Sequence, residues 1–162
     1  MIKQELQKAL NEQINKELYS EYLYLAISAY FAEKDLGGAA AFFGKQAAEE
    51  HGHAMKIFKY ILERGGHVEL SKIEAPKINL KGFLDVFEQT LEHERFITKS
   101  IDELVDLSIK NNDHSMTSFL QWYVDEQVEE EATFTSLLGR IKMVGETGAS
   151  LLIIDGELGK RQ

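Results

Sequence analysis

The sequence contains no cysteine, one proline and twelve glycines among its 162 residues. Without cysteine the chain has no disulfide framework, thiolate metal site or thiol nucleophile, so any redox chemistry must use other ligands. The scarcity of proline and glycine leaves long stretches without turn signals. This favours long helices over the many short strands of a β-sandwich.

Positive charge is also scarce. The sequence has 18 lysines and arginines but 27 aspartates and glutamates, which gives a net charge of −9. A surface of this sign repels phosphate groups, which predicts no nucleic-acid partner and no membrane partner. No apolar run approaches the roughly 18 residues of a membrane span, and the first residues lack the apolar stretch of a signal peptide. We therefore expect one domain, residues 1–162, in the cytoplasm.

Apolar residues recur at spacings of three and four in four long segments, near residues 4–34, 38–64, 80–110 and 114–144. This pattern predicts four amphipathic helices, and helices of such matched length are typical of an all-α four-helix bundle. Glycines 37–38 and the run 111–113 form tight joints that predict antiparallel neighbours. The apolar cluster 151–154 predicts a short fifth helix, about 147–158, lying in a subunit interface.

The connection between the second and third helices, residues 65–79, is longer than the others. At about 3.3 Å per residue it can extend roughly 50 Å, the whole length of such a bundle. Periodicity therefore leaves two topologies open. The helices alternate up and down, or a long crossover makes the second and third helices parallel.

Each apolar stripe is interrupted near its middle by a polar side chain. The interrupting residues are Glu50 on the second helix, Glu94 on the third, and Gln127 and Glu130 on the fourth. The first helix has two candidates, Glu17 and Glu21, and periodicity does not show which of them faces inward. A helix midpoint stays at the same height whichever way the helix runs. We therefore expect the acids to share one layer under either topology.

Several carboxylates in one apolar layer repel each other and lose their hydration, so a compensating charge is needed. His53 follows Glu50 by three residues and lies on the same helix face. Oxygen ligands with one imidazole suit iron or manganese, and two metals sharing a bridging carboxylate would use this ligand count best. The alternative interpretation places these acids on the surface in water, where charged side chains usually lie.

Four motifs that contain these residues resemble those of non-haem bacterial ferritins. They are LNEQINKELYSEYLYL, QAAEEHGHAMK, LEHERFITKSI and FLQWYVDEQVEEE. The resemblance covers essentially the whole chain and implies the crossover bundle with a short fifth helix. It also implies a hollow homo-oligomeric shell of 24 subunits that oxidises ferrous iron with dioxygen or hydrogen peroxide and stores the ferric mineral inside.

The resemblance also implies roles for individual residues. Glu17, Glu50 and His53 would bind the first iron. Glu94 and Glu130 would bind the second, and Glu50 would bridge the two irons. Gln127 would be a hydrogen-bonding neighbour of the second iron position. Glu49, Glu126 and Glu129, with Glu130, resemble the ligands of a third, weaker iron site. Tyr24 occupies the position of a tyrosine that supplies an electron or hydrogen-bonds a ligand.

Two departures from haem-binding bacterioferritin predict that this chain binds no haem. Gln127 and Glu130 replace the second Glu-x-x-His motif, and His51 replaces the methionine that serves as haem ligand. Outside the motifs, Trp122 is interpreted as a core residue, and three histidines are interpreted as ordinary surface residues. They are His67, His93 and His114.

Two rival functions remain for this sequence. A di-iron peroxidase or oxygenase of the same superfamily is one, although rubrerythrin-like proteins carry a cysteine-rich iron module that is absent here. The other is a storage subunit without oxidase activity. All the implied di-iron ligands occur in this one chain, which argues against the second rival.

Overall fold

The computed structural model describes residues 1–160, so residues 161 and 162 of the predicted domain lie outside the described part. The described chain forms five α-helices and no strand, which confirms the all-α prediction. The helices are α1 (Gln4–Ala32), α2 (Gly37–Glu63), α3 (Phe83–Lys110), α4 (His114–Val144) and α5 (Gly148–Leu158). None of these helices combines the length and apolar character needed to cross a membrane.

Two helix ends differ from the predicted boundaries by more than one residue. α1 ends at Ala32, after which Asp35 adopts a left-handed conformation with φ of 59°. α3 begins only at Phe83, after an extended segment. Asp113 caps the first turn of α4 by accepting a hydrogen bond from the backbone N–H of Met116 at 3.0 Å.

The long connection between α2 and α3 runs along α1. Near the beginning of α1, the Asn11 side chain donates to the carbonyl of His67 at 3.1 Å. Two turns further along α1, the Tyr19 hydroxyl accepts from the backbone N–H of Lys77, also at 3.1 Å. The connection therefore climbs in the direction of α1, which places the beginning of α3 beside the end of α1.

Contacts at both ends of the bundle fix the direction of α3. Phe83, the first residue of α3, packs against Phe31 near the end of α1 with ring centroids 5.0 Å apart. At the other end, Lys3 donates to the carbonyl of Asn111 at 2.8 Å. α3 is thus antiparallel to α1 and parallel to α2, and the crossover bundle is confirmed.

Two apolar clusters fill the bundle, with a polar layer between them. One cluster includes Tyr24, Phe31, Phe43, Phe87 and Phe134, and the other includes Leu10, Ile14, Ile57, Ile97 and Leu120. Along α2, Glu50 lies between Ala47 of the first cluster and Ala54 of the second. Along α3, Glu94 lies between Leu91 and Ile97 in the same way. The clusters hold the polar layer at a fixed depth and shield it from solvent above and below.

α5 docks on the beginning of α2. Ile154 and Leu158 are buried in the first cluster, and the Asp155 carboxylate accepts from the backbone N–H of Ala39 at 2.7 Å. Asp155 thereby caps the N-terminus of α2, whose own preceding residue, Leu36, provides no side-chain cap. The outer side of α5 stays apolar and exposed within the single chain, at Leu152 and Ile153. The predicted subunit interface at 151–154 remains a prediction.

Gly38 allows this close approach, because a Cβ there would lie 1.8 Å from the Asp155 carbonyl oxygen. We expect Gly38→Ala to displace α5 and lower the free energy of unfolding by about 1–3 kcal/mol, the usual cost of overpacking. Gly37→Ala is the matched control, since a Cβ at Gly37 meets nothing within 4 Å. Hydrogen exchange of residues 148–158 would measure the displacement, and equal protection in both variants would contradict it.

Candidate metal centre

α1 and α2 bring three potential ligands together in the polar layer. Glu17, Glu50 and His53 offer ligand atoms that all lie within 4.8 Å of one another, and all three side chains are buried. His53 Nδ1 lies 3.3 Å from Glu50 Oε2 and 4.0 Å from Glu17 Oε2. Within residues 1–160 this is the one group of three acidic or histidine side chains that converges so closely.

Two carboxylate oxygens in this group have no hydrogen-bond partner among the described residues. They are Oε2 of Glu17 and Oε2 of Glu50, and both are fully inaccessible to solvent. Buried polar atoms are nearly always hydrogen-bonded, because an unsatisfied one costs about 1–3 kcal/mol and a charged one costs more. Two such oxygens beside an imidazole nitrogen therefore form a set of donors for a divalent cation.

Burial raises the pKa of the Glu17 carboxyl well above its usual range, and the adjacent Glu50 adds to the rise. Burial also raises the pKa of Glu50, with the charge of Glu94 as the next cause. Both shifts favour the protonated carboxyls in the metal-free site, and a bound cation would favour their ionised forms instead.

Glu94 of α3 and Gln127 of α4 form the second half of the layer. The Gln127 amide nitrogen donates to Glu94 Oε2 at 3.1 Å and to the Glu94 carbonyl at 3.2 Å. Gln127 therefore contacts its neighbour as a hydrogen-bond donor. Burial raises the pKa of Glu94, although the hydrogen bonds from Tyr24 and Gln127 oppose that rise.

Tyr24 of α1 is fully buried, and its hydroxyl donates a hydrogen bond to Glu94 Oε1. Its ring packs against Phe43 and Phe134 at centroid distances of 5.8 and 6.5 Å. Burial raises the pKa of this phenol well above its usual value, and the charge of Glu94 adds to the effect. Tyr24 thus remains a neutral donor in contact with a predicted metal ligand.

Glu130 of α4 joins the layer to an open groove. Its Oε2 accepts from the Gln46 amide at 3.0 Å, and burial raises its pKa to about 7. The groove of about 420 Å³ beside it is also lined by the three acids predicted for a third site, which are Glu49, Glu126 and Glu129. Glu49 and Glu129 are exposed, so these acids share the groove without forming a compact cluster.

The structure separates Glu17 from Glu21, which periodicity does not. Glu17 is 1% exposed and faces the layer. The Glu21 side chain is 27% exposed and pairs with His51 Nδ1 at 3.1 Å on the surface. Both His51 and Glu21 therefore lie outside the site.

His93 is half-buried and hydrogen-bonded, so its interpretation as an ordinary surface residue is only partly correct. Its Nε2 lies 2.7 Å from the hydroxyl of Ser20, and its ring contacts Tyr19 and Tyr24 at centroid distances of 5.9 and 6.1 Å. Burial alone lowers the pKa of His93 to about 4. Sequence analysis missed this because the connection covers the outer side of α1 and α3, and periodicity does not predict the path of a loop.

Trp122 is half-buried and lies against the site. Its ring meets that of His53 edge to face at 5.3 Å, while the ammonium of Lys56 lies 3.6 Å from its ring centroid. Tyr123 is not among the predicted ligands, but its hydroxyl donates to the backbone carbonyl of His53 at 2.7 Å. These aromatic side chains restrict the orientation of the imidazole.

Two buried glutamines that contact predicted ligands were missed by sequence analysis. Gln13 donates to Glu17 Oε1 at 2.8 Å, and Gln46 donates to Glu130. Each precedes a glutamate of the stripe by four residues, so Gln13 with Glu17 and Gln46 with Glu50 share a helix face. An amide one turn from a buried acid is the signal that would have identified them.

The raised pKa of Glu130 predicts a pH dependence in the metal-free protein. The folded chain binds this proton more tightly than the unfolded chain, so the stabilisation is fully present below pH 4.5 and is lost as pH rises through about 7. His93 acts in the opposite sense between about 4 and 6.5. Denaturant unfolding of wild type and Glu130→Gln at several pH values isolates Glu130, because His93 contributes equally to both. The difference in unfolding free energy should fall with rising pH, and a constant difference would contradict this.

Comparisons with known proteins agree with this arrangement. Residues 7–144 match the family described as Ferritin-like domain. The bacterial non-heme ferritin of Campylobacter jejuni is 49% identical over 155 residues, which cover 96% of this chain and 93% of that protein. The bacterial non-heme ferritin of Bacteroides fragilis is 42% identical over 161 residues, covering 99% and 100%.

The fold agrees with solved structures over its full length. An open pore ferritin from Archaeoglobus fulgidus is 42% identical and superposes with a TM-score of 0.97, covering 100% of both chains. Sequence and fold therefore lead to one assignment. The chain belongs to the ferritin family.

Proposed function

We propose that this protein is an iron-storage ferritin with ferroxidase activity. It oxidises Fe(II) at a di-iron site in the polar layer and deposits the ferric product inside a 24-subunit shell in the cytoplasm. Glu17, Glu50 and His53 bind one ferrous ion, Glu94 and Glu130 bind the other, and Glu50 bridges the two. The observation that carries the proposal is the pair of buried, unpartnered oxygens on Glu17 and Glu50 beside His53.

The redox balance requires an oxidant from solution. Two ferrous ions supply one electron each. Dioxygen takes the two electrons with two protons and leaves as hydrogen peroxide, or hydrogen peroxide takes them with two protons and leaves as two waters. The protein contributes binding, orientation and a water-excluding site between two apolar clusters.

Tyr24 is the proposed catalytic group of this chain. Its hydroxyl contacts Glu94, and its buried ring lies among the aromatic side chains of the first cluster. The hydroxyl orients the Glu94 carboxylate, and the phenol is close enough to the site to supply an electron when the oxidant requires a further one.

The open groove beside Glu130 supports two further parts of the proposal. Glu49, Glu126 and Glu129 form the third, weaker iron site, with Glu130 shared between the two sites. Acids that lead from an open groove to a buried site favour the passage of cations.

The exposed apolar residues Leu152 and Ile153 support burial of α5 in a subunit interface.

Rapid mixing of the iron-free protein with ferrous iron in air tests the proposal. We expect a fast phase of Fe(III) formation, well above the rate in buffer, that saturates at two iron ions per chain. Slow oxidation at the buffer rate would reject the ferroxidase and leave the storage subunit without oxidase activity. The same samples measured by native mass spectrometry should give the mass of a 24-mer.

A further inference from the structure

A chain of hydrogen bonds connects the buried Glu17 to a lysine at the surface. Glu17 Oε1 accepts from the Gln13 amide nitrogen at 2.8 Å. Gln13 Oε1 accepts from the hydroxyl of Ser100 on α3 at 2.6 Å, and Ser100 Oγ accepts from the ammonium of Lys16 at 2.5 Å. Gln13 is 1% and Ser100 is 4% exposed, so water does not compete for these bonds.

The charge of Lys16 fixes the direction of every bond in this chain. An ammonium group only donates, so Ser100 accepts from it and turns its single proton towards Gln13. Gln13 must then present its oxygen to Ser100 and its NH₂ to Glu17. The reversed amide would place an oxygen against the Glu17 carboxylate and aim two donors at Ser100, leaving the hydroxyl proton without an acceptor.

A second chain with the opposite charge at its outer end orients Gln127 in the same way. The Thr98 hydroxyl lies 2.6 Å from a Glu131 carboxylate oxygen and 3.1 Å from the Glu94 carbonyl, and its one proton goes to the closer, charged acceptor. Its oxygen is therefore free to accept, and the Gln127 amide nitrogen lies 3.3 Å from it and 3.1 Å from Glu94 Oε2. In both chains a surface charge and an α3 hydroxyl direct an NH₂ group to a buried carboxylate.

We propose that Lys16 and Ser100 are positioning residues for the metal site. They hold Gln13 in the orientation that satisfies Glu17 Oε1 and leaves Oε2, which has no partner, to bind the metal. This inference rests on the proposed function, because it assumes that Glu17 is a ligand. Such outer hydrogen bonds orient ligands and typically change metal affinity by about 10–100-fold.

Titration of the full-length, metal-free protein with Co²⁺ tests the role of Ser100, since the visible spectrum of bound Co²⁺ reports both affinity and ligand geometry. We expect Ser100→Ala to weaken Co²⁺ binding by about tenfold or more and to alter the spectrum. Ser108→Ala is the matched control, because Ser108 is another buried hydroxyl on α3, bonded instead to Val105 and Thr117. Equal affinities and spectra for the two variants would overturn the proposal.

Charge reversal at Lys16 separates the positioning role from simple electrostatics, because the two predict opposite changes in Co²⁺ affinity. A new negative charge near the site should strengthen cation binding through space. A carboxylate at this position would instead accept from Ser100, reverse the chain and turn the Gln13 oxygen towards Glu17. We therefore expect Lys16→Glu to bind Co²⁺ more weakly than the control variant Lys99→Glu. Lys99 precedes Ser100 in the sequence, and its side chain is 78% exposed. Equal or tighter binding by Lys16→Glu would overturn the proposal.

These outcomes separate the two levels of inference. If wild type fails to bind Co²⁺ in the buried site, the proposed function itself is rejected. If wild type binds Co²⁺ while the Ser100 and Lys16 variants bind like their controls, only the positioning role is rejected. Unfolding of the metal-free variants would identify any loss of binding that is caused by a loss of folded protein.

Discussion

Replacing Glu50 by alanine is expected to slow the fast phase of ferrous oxidation by roughly a hundredfold or more, since even outer-shell changes cost 10–100-fold. Glu50 Oε2 lies 3.3 Å from His53 Nδ1, and the pKa of Glu50 is raised first by burial and then by the charge of Glu94, so its carboxylate interacts with both halves of the layer. No other side chain among residues 1–160 offers an unpartnered buried oxygen from α2. Stopped-flow absorbance after mixing with Fe(II) in air measures the effect.

Glu63→Ala is the matched control for this experiment. Glu63 is a glutamate of the same helix, but its side chain is 61% exposed and pairs with Lys59 at the surface. The control should oxidise iron at the wild-type rate. A Glu50→Ala protein that folds and retains a wild-type fast phase would exclude the assigned bridging role.

Divalent metal should increase the stability of the wild-type protein strongly and that of a Glu50→Gln variant little. A cation that binds only the folded chain stabilises it by about 4 kcal/mol at a free concentration of a thousand times Kd. In the metal-free protein, burial and then the neighbouring negative charges raise the pKa of both carboxyls, so their ionised forms are destabilised. We therefore expect the metal-free Glu50→Gln variant to be at least as stable as metal-free wild type, unlike most buried substitutions.

Chemical denaturation with and without Zn²⁺, which is redox-inert, measures both parts of this prediction. Glu63→Gln serves as the control and should respond to metal like wild type. Two results would contradict the expectation. One is a wild-type protein whose unfolding is unchanged by Zn²⁺, and the other is a Glu50→Gln variant with the full metal-dependent increase.

Much of the fold and site was predictable because burial controls the repeat of apolar residues along a helix. Glu50 and Glu94 interrupt apolar stripes, so their inward orientation follows from the 3.6-residue period alone. Their common depth follows from lying near helix midpoints. The crossover was not predictable in this way, since it depends on polar contacts such as Asn11 with the backbone of the connection.

The remaining features depend on contacts between elements that are distant in sequence. Glu17 and Glu21 lie one turn apart on the same stripe, and their roles separate only because His53 faces one and His51 the other. The partial burial of His93 depends on where the connection lies, because Lys77 and Ile78 line the same surface pocket. The Lys16 chain requires a serine of α3 opposite α1, which no single-helix pattern indicates.

Anomalous diffraction from crystals soaked in Zn²⁺ is the most direct test of a buried acid layer that binds metal. A peak is expected within about 2.0–2.2 Å of Glu17 and Glu50 carboxylate oxygens and of His53 Nδ1. Zinc confined to exposed acids such as Glu129, with the buried group free of metal, would contradict the assignment of this layer as the iron site.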